Sequence, residues 1–197
     1  MKFALIGAGG HAKSVFDILL ALHLDLDCYV NPESEPWLGV RHMVDESQLN
    51  GSGFAVAMGL GGVKPPQLER RLALLDRLLQ AGLAAPPLVH PSATISPSAM
   101  LGTGVTVMPG AIINAHTRLD RGVIVNSRAV VEHDAEIGAG SHVAPGAIVL
   151  GAARIGQSCM IGAGAVVLQS IAVPDQSFVR AVSLYQGDAS NHGKTTP

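Results

Sequence analysis

Aliphatic residues recur at every sixth position through the second half of the chain. The run holds fifteen consecutive positions, and no insertion resets the count. Its members are Ile95, Leu101, Val107, Ile113, Leu119, Val125, Val131, Ile137, Val143, Val149, Ile155, Ile161, Val167, Val173 and Val179. A period of six matches neither an α-helix nor a β-strand. It is typical of a solenoid in which each hexapeptide forms one flat side of a triangular prism.

The residues between these positions suit the narrow interior of such a prism. No aromatic residue occurs between Phe54 and Phe178, although the chain contains 23 glycines. Glycine follows the aliphatic position directly at Gly102, Gly138, Gly156 and Gly162. We expect these glycines to form tight turns at the corners. Cys159 lies where neighbouring repeats carry alanine or serine, so we expect it to fill the core.

The N-terminal half has a different pattern, which predicts a small α/β domain. Short apolar runs predict strands at 2–6, 27–30 and 54–58, and helical spacing predicts helices at about 12–24 and 67–81. Strand, glycine-rich turn, helix and strand together make a Rossmann-like βαβ unit. We therefore predict an α/β domain at 1–84, a parallel β-helix at 88–184 and a disordered tail at 185–197.

Charge and cysteine content limit the possible partners and the compartment. The net charge is −2, so no basic surface favours nucleic acid. The only basic cluster, Arg70–Arg71, lies on a predicted helix, and we interpret it as a solvated face. No apolar run is long enough to span a membrane, and no signal peptide is expected. Two cysteines without framework spacing predict a cytoplasmic protein.

His133 is the best candidate for acid–base chemistry. It lies two residues beyond the core residue Val131, at a corner or an outer edge of the prism, between Glu132 and Asp134. A neighbouring carboxylate can orient an imidazole and stabilise its protonated form, as a general base requires. His142 lies half a coil away, so we expect it to reach the same site only across an interface between chains.

The glycine-rich turn at 7–11 is the best candidate for binding phosphate. A strand, a turn and a helix N-terminus offer backbone N–H groups to a diphosphate. The turn reads GAGGH and lacks the third spaced glycine of the dinucleotide fingerprint. Asn31 stands where a dehydrogenase carries an acidic residue after its second strand. A nicotinamide-dependent dehydrogenase is therefore disfavoured.

Several motifs resemble one family of enzymes. The segment VIVNSRAVVEHDAEIG at 123–138 and the following SHV at 141–143 resemble bacterial nucleotide-sugar N-acetyltransferases of the bacillosamine and perosamine pathways. Sialic acid O-acetyltransferases are close relatives of these enzymes. GAGGH at 7–11, AMG at 57–59 and HPSA at 90–93 match in the same order. The resemblance implies a left-handed β-helix, a homotrimer, acetyl-CoA as co-substrate without a metal, and a place in surface glycan biosynthesis.

The resemblance also implies roles for individual residues. The general base is His133, with Asp134 beside it, and a nucleotide-linked amino sugar is the acetyl acceptor. The implied sugar-nucleotide residues are Gly9, Gly10, His11, Asn31, Gly59 and Lys64. The implied acetyl-CoA residues are His142, Gly151, Ala163 and Ala181.

Two departures from the family pattern keep alternatives open. Asn31–Pro32 replaces the acidic pair of the uridine-sugar members, so the nucleotide base stays open. Residues 185–197 lack the Gly-x-Pro-Ala-Lys turn that helps to cover CoA. A sialic acid-type O-acetyltransferase would use the same base, and a scaffold trimer without catalysis would need none. A zinc carbonic anhydrase is disfavoured, because the histidine spacings of the repeats do not match its three ligands.

Overall fold

The N-terminal part is a parallel sheet with one helix on each face. The structure, a computed structural model, describes residues 2–49 and 53–187. Its first elements are β1 (Lys2–Ile6), α1 (Gly10–Ala21), β2 (Leu26–Val30), β3 (Arg41–Met43), β4 (Phe54–Met58) and α2 (Pro65–Gln80). The strand order is β3-β2-β1-β4, and all pairs are parallel. The predicted α/β fold is confirmed. The sequence pattern misses β3, because three residues with one buried side chain show no periodicity.

The rest of the described chain forms the predicted prism. Its strands are β5 (Leu88–Val89), β6 (Thr94–Ile95), β7 (Met100–Leu101), β8 (Thr106–Val107), β9 (Ile112–Ile113), β10 (Arg118–Leu119), β11 (Ile124–Val125), β12 (Val130–Val131), β13 (Glu136–Ile137), β14 (His142–Val143), β15 (Ile148–Val149), β16 (Arg154–Ile155), β17 (Met160–Ile161), β18 (Val166–Val167), β19 (Ala172–Val173), β20 (Phe178–Val179) and β21 (Leu184–Tyr185). They form parallel sheets of five, six and six strands. Each strand pairs with the strand one coil later, as Val125 does with Val143. Residues 188–197 of the predicted tail lie outside the described residues.

The six-residue period exists because the second residue of each strand points into the prism. The residues at these positions form one continuous buried cluster that runs along the coils. Cys159 is fully buried in this cluster, as expected for a small core residue.

The close approach of neighbouring coils explains why glycine occupies the four corner positions. The predicted tight turns are present, since the carbonyls of Gly102, Gly138 and Gly162 accept from the N–H group three residues later, but none of the four glycines has positive φ. A Cβ on Gly138 would lie 2.6 Å from the carbonyl carbon of Gly156, one coil later. A Cβ on Gly162 would lie 2.5 Å from the nitrogen of Ala181. Neighbouring coils approach too closely there for any side chain.

The three sides of the prism differ in what their outward residues meet. The covered side faces the α/β part and buries Ile124, His142 and Met160. It consists of β5, β8, β11, β14, β17 and β20. The aliphatic side consists of β6, β9, β12, β15, β18 and β21. Its outward residues include Ile112, Val130, Ile148, Val166 and Leu184. The charged side consists of β7, β10, β13, β16 and β19. Its outward residues are Met100, Arg118, Glu136, Arg154 and Ala172. Among the described residues, the covered side alone packs against another part of the same chain.

Helix α2 fixes the α/β part against the covered side. Leu72 and Leu75 of α2 pack on turns of the prism, so that a Cβ on Gly140 would be 3.0 Å from Leu72 and one on Gly104 would be 2.8 Å from Leu75. Asp76 and Arg121 form an ion pair with a shortest N–O distance of 2.7 Å. Within the described residues, no helix is long and apolar enough to cross a membrane.

Candidate active site

His133 lies at the corner between the aliphatic side and the charged side. Its side chain is 62% exposed, and Nδ1 lies 2.9 Å from Oδ2 of Asp134. A carboxylate only accepts hydrogen bonds, so Nδ1 carries the proton and Nε2 keeps its lone pair. The backbone is held by both neighbouring coils, since Asp134 N–H donates to Ala115 and Ala152 N–H donates to His133. The imidazole is therefore an oriented base on a rigid support.

A cavity of about 390 Å³ adjoins this imidazole. Its wall includes Glu132, Leu150, Gly151 and Gln169. A Cβ on Gly151 would lie 2.8 Å from Nε2 of His133, so the ring lies directly above this glycine. The corner has the concave shape and the base that an acyl transfer needs.

The glycine-rich turn lies at the C-terminal edge of the parallel sheet, between β1 and α1. Gly9 and Gly10 are exposed, and a Cβ on either would meet nothing within 4 Å. The space above the helix N-terminus is thus open to a ligand. Trp37 supports the turn, because its indole nitrogen donates to the carbonyl of Ala8 at 3.2 Å. Sequence reasoning missed Trp37, and its only signal was being the single tryptophan of the chain.

The other predicted sugar-nucleotide residues differ in their contacts. Gly59 is buried, and a Cβ there would lie 2.9 Å from Ala12 Cβ, so close packing explains this glycine. Lys64 is exposed at the N-cap of α2. The side-chain amide of Asn31 donates to the carbonyl of Glu33 at 2.9 Å, inside its own loop.

His142 is held between the two parts of the chain. It is only 5% exposed, and its Nδ1 lies 2.8 Å from the carbonyl oxygen of Gly62. A carbonyl only accepts, so Nδ1 is protonated and Nε2 accepts from Asn126 Nδ2 at 2.9 Å. Burial is the main cause of a lowered pKa for His142. The imidazole is neutral with both nitrogens satisfied, so a contact to acetyl-CoA would require it to release a partner.

The predicted acetyl-CoA residues lie at different places on the prism. His142 lies on the covered side, away from the corner that holds His133 and Gly151. Ala163 and Ala181 are exposed at the corner between the covered and aliphatic sides. Gly151 on one edge and Ala163 with Ala181 on the other therefore flank the aliphatic side, while His142 does not.

The half-buried imidazole of His11 lies near His142. The ring of His11 is 6.5 Å from that of His142, and its Nε2 is buried without a hydrogen-bond partner. Burial, together with Arg71 and His142, lowers the pKa of His11 to about 3.

Arg71 is not part of a solvated face, so that interpretation is wrong. It is 2% exposed, its Nε donates to Leu60 O at 2.7 Å, and its Nη1 donates to Gly122 O. Burial lowers its pKa to about 10, which leaves it charged at neutral pH. Helical spacing places Arg71 on the same face as Leu68 and Leu75, and the β-helix covers that face from the other half of the chain.

The described residues contain no group of three histidine, cysteine, aspartate or glutamate side chains arranged to hold a metal ion. His116 and His133 lie at exposed corners, while His142 is buried on the covered side. The three histidines of the repeats therefore do not converge.

Comparison with known proteins gives matches over nearly the whole chain. The acetyltransferase domain of PglB from Neisseria gonorrhoeae is 32% identical over 95% of this chain and 92% of its own, with a TM-score of 0.86. The same domain in complex with acetyl coenzyme A matches with a TM-score of 0.85. PerB from Caulobacter crescentus, in complex with CoA and GDP-perosamine, is 30% identical over 92% of this chain and 95% of its own, with a TM-score of 0.74. No protein-family model and no curated protein matches the sequence significantly.

Proposed function

Because the chain belongs to the family of hexapeptide-repeat, acetyl-CoA-dependent sugar N-acetyltransferases, we propose that it acetylates the amino group of a nucleotide-linked amino sugar. The observation that carries this proposal is the exposed His133–Asp134 pair beside a cavity, with Nε2 of His133 free to accept a proton. Among relatives, PerB binds both CoA and GDP-perosamine. The product would serve the synthesis of surface glycans.

The proposed reaction is a direct attack without a covalent enzyme intermediate. The amine nitrogen of the sugar bonds to the thioester carbonyl carbon, and Nε2 of His133 takes the proton that the amine loses. Asp134 accepts from Nδ1–H throughout and stabilises the imidazolium. The C–S bond then breaks, and the departing CoA sulfur takes the proton from His133. Cys159 is buried and is not needed as a nucleophile.

We propose that the active unit is a homotrimer joined through the aliphatic side. Ile112 is 38% exposed and Leu184 is 59% exposed, and they end a row of five outward aliphatic residues. Such a row facing water favours burial against another chain. Its two edges carry His133 with Gly151 and Ala163 with Ala181, so acetyl-CoA would lie in the cleft between neighbouring prisms. His142 would contact this cofactor only after leaving one of its present partners.

The sugar nucleotide is proposed to bind mainly through its diphosphate. Gly9 and Gly10 leave the N-terminus of α1 open, and His11 follows them in the first turn of the helix. Gly59 and Lys64 lie at the neighbouring strand end and helix start, where Lys64 would add a positive charge. Asn31 replaces an acidic side chain, so we expect only a modest preference for one nucleotide base.

A panel of acceptors tests the proposed function. UDP-, GDP- and dTDP-linked 4-amino sugars are incubated with acetyl-CoA, and release of the CoA thiol is followed together with the mass of the product. We expect at least one sugar nucleotide to gain one acetyl group on nitrogen. Acetylation of free sialic acid alone would instead establish the O-acetyltransferase alternative. No transfer to any acceptor would favour the scaffold alternative.

The proposed compartment is the cytoplasm. Cys28 and Cys159 are both free and buried, which fits a reducing compartment. Acetyl-CoA and nucleotide sugars are also available there.

A further inference from the structure

A second cavity, of about 440 Å³, lies along α2, outside the His133 cavity. Its wall includes Leu60, Gly61, Gln67, Arg70, Arg71 and Arg77. Three of these side chains are cationic, and no carboxylate residue lines the cavity. We call it the α2 cavity.

The buried guanidinium of Arg71 is the strongest sign that this cavity takes a ligand. Among the described residues, its hydrogen bonds go only to the carbonyls of Leu60 and Gly122, and its Nη2 is buried without a partner. No carboxylate lies within ion-pair distance of Arg71 or Arg70 in the described part of the chain. A buried charge without a counter-ion is costly, and an anion in the adjoining cavity would offset that cost.

Other polar groups of the cavity also carry hydrogen-bond donors beyond the bonds they make. The Oε1 atom of Gln67 accepts from Val63 N–H at 2.9 Å, so its amide nitrogen remains available as a donor. Nε of Arg70 donates to Pro66 O at 3.2 Å. The two terminal nitrogens of Arg70 take no part in that bond and can donate to a ligand. Arg77 pairs with Glu46 at the exposed end. Donors that outnumber acceptors in this way match phosphate oxygens, which only accept.

We propose that the α2 cavity binds a phosphate group of a phosphorylated ligand. The cavity adjoins Gly61, and a Cβ on Gly61 would lie 3.1 Å from the side chain of His11. A phosphate held by Arg70 and Arg71 would thus fix the loop after β4, next to the glycine-rich turn. The phosphate comes either from a substrate of the transfer reaction or from a separate phosphorylated metabolite, and the two sources are distinguishable.

The test is calorimetric titration of inorganic pyrophosphate into the full chain, and it needs no acetyl transfer. Arg70→Gln/Arg77→Gln removes two exposed charges of the cavity and leaves the buried Arg71 in place. Arg118→Gln on the charged side is the matched control, and Gly10→Val separates binding at the glycine-rich turn. We expect the double variant to weaken binding by about tenfold or more, as the loss of charge-assisted hydrogen bonds predicts. Arg118→Gln should bind like the wild type.

Competition then identifies the source of the phosphate. Displacement by CoA but not by 3′-dephospho-CoA assigns the cavity to the cofactor, and displacement by UDP assigns it to the sugar nucleotide. Displacement by neither assigns it to a separate metabolite, and all three outcomes support the site. The proposal is overturned if the wild type binds no pyrophosphate. It is also overturned if only Gly10→Val loses binding, or if the double variant binds as the wild type does.

Discussion

The imidazole of His133 occupies the space that a side chain on Gly151 would need. A Cβ on Gly151 would lie 2.8 Å from both Cε1 and Nε2 of the ring. The backbone does not require glycine there, because φ of Gly151 is not positive. Other corners carry alanine at the same place in the hexapeptide, as at Ala115 and Ala139. The glycine is therefore explained by the ring above it.

Gly151→Ala should displace the proposed base and leave the fold intact. We expect the turnover rate to fall by about tenfold to a hundredfold, the usual effect of misplacing a catalytic group by about 1 Å. Steady-state kinetics measures the loss, and thermal unfolding checks that stability is unchanged. In a His133→Ala background the same substitution should cause no further loss, because the clash is gone. An equal loss in both backgrounds would refute this explanation.

His133→Ala should lower turnover by about a hundredfold to ten-thousandfold, the range for a positioned acid–base group. Acetyl-CoA affinity, measured by calorimetry, should barely change. Asp134→Asn should cause a smaller loss, because the amide still orients the ring but does not stabilise its charge. His23→Asn is the control, since His23 is exposed and has positive φ, which asparagine tolerates. Near-full activity of His133→Ala would remove His133 from the mechanism.

The fold can be predicted from the sequence because every sixth side chain must fit inside the prism. The inward position of each hexapeptide admits only an apolar residue of limited size, so the period survives through every coil from Ile95 to Val179. The position of His133 follows from the same count, since two residues after Val131 is a corner. The outward aliphatic row that ends at Leu184 has an equally regular spacing. It passes unnoticed because the inward row dominates the pattern.

Contacts between the two halves of the chain are not readable in this way. The partner of His142 is Gly62, 80 residues earlier, and Arg71 meets Gly122, 51 residues later. Helical spacing places Arg71 on the buried face of α2, but nothing in the local pattern identifies the partner of either residue. The corner glycines show the same limit, because Gly138 is constrained by the next coil and not by its own backbone.

Two glycine-to-alanine substitutions near the sugar-nucleotide site should have opposite effects. Gly10 has open space where a Cβ would lie, so Gly10→Ala should keep its stability and lose affinity for the sugar nucleotide. Gly10→Val should lose still more affinity. Gly59→Ala would place Cβ 2.9 Å from Gly7 O and Ala12 Cβ, so it should lower the melting temperature. Thermal unfolding and calorimetric titration of the two variants separate these effects. Unchanged affinity in Gly10→Val would place the diphosphate elsewhere.

Ile148→Arg should break the proposed trimer. Ile148 is the middle residue of the outward aliphatic row, where a buried guanidinium without a partner would be strongly unfavourable. Light scattering at micromolar concentration should give a trimer mass for the wild type and a monomer mass for the variant. Ala172→Arg makes the same kind of change on the charged side and should leave the trimer intact. A monomeric wild type would contradict both the proposed trimer and the proposed cleft between chains.

The half-buried His11, whose Nε2 is enclosed, should make the protein less stable in mild acid. Its folded pKa is about 3, below the ordinary value of 6.5, chiefly because burial penalises the charged ring. Its contribution is therefore fully present above pH 6.5 and is lost as the pH falls toward 3, where the unfolded chain alone binds the proton. Between pH 7 and pH 5 the expected loss in the free energy of unfolding from this group is about 2 kcal/mol. Urea unfolding at fixed protein concentration, with His11→Gln as the variant that cannot titrate, measures this difference. Equal acid sensitivity of the two proteins would mean that His11 is charged or solvated in the folded state.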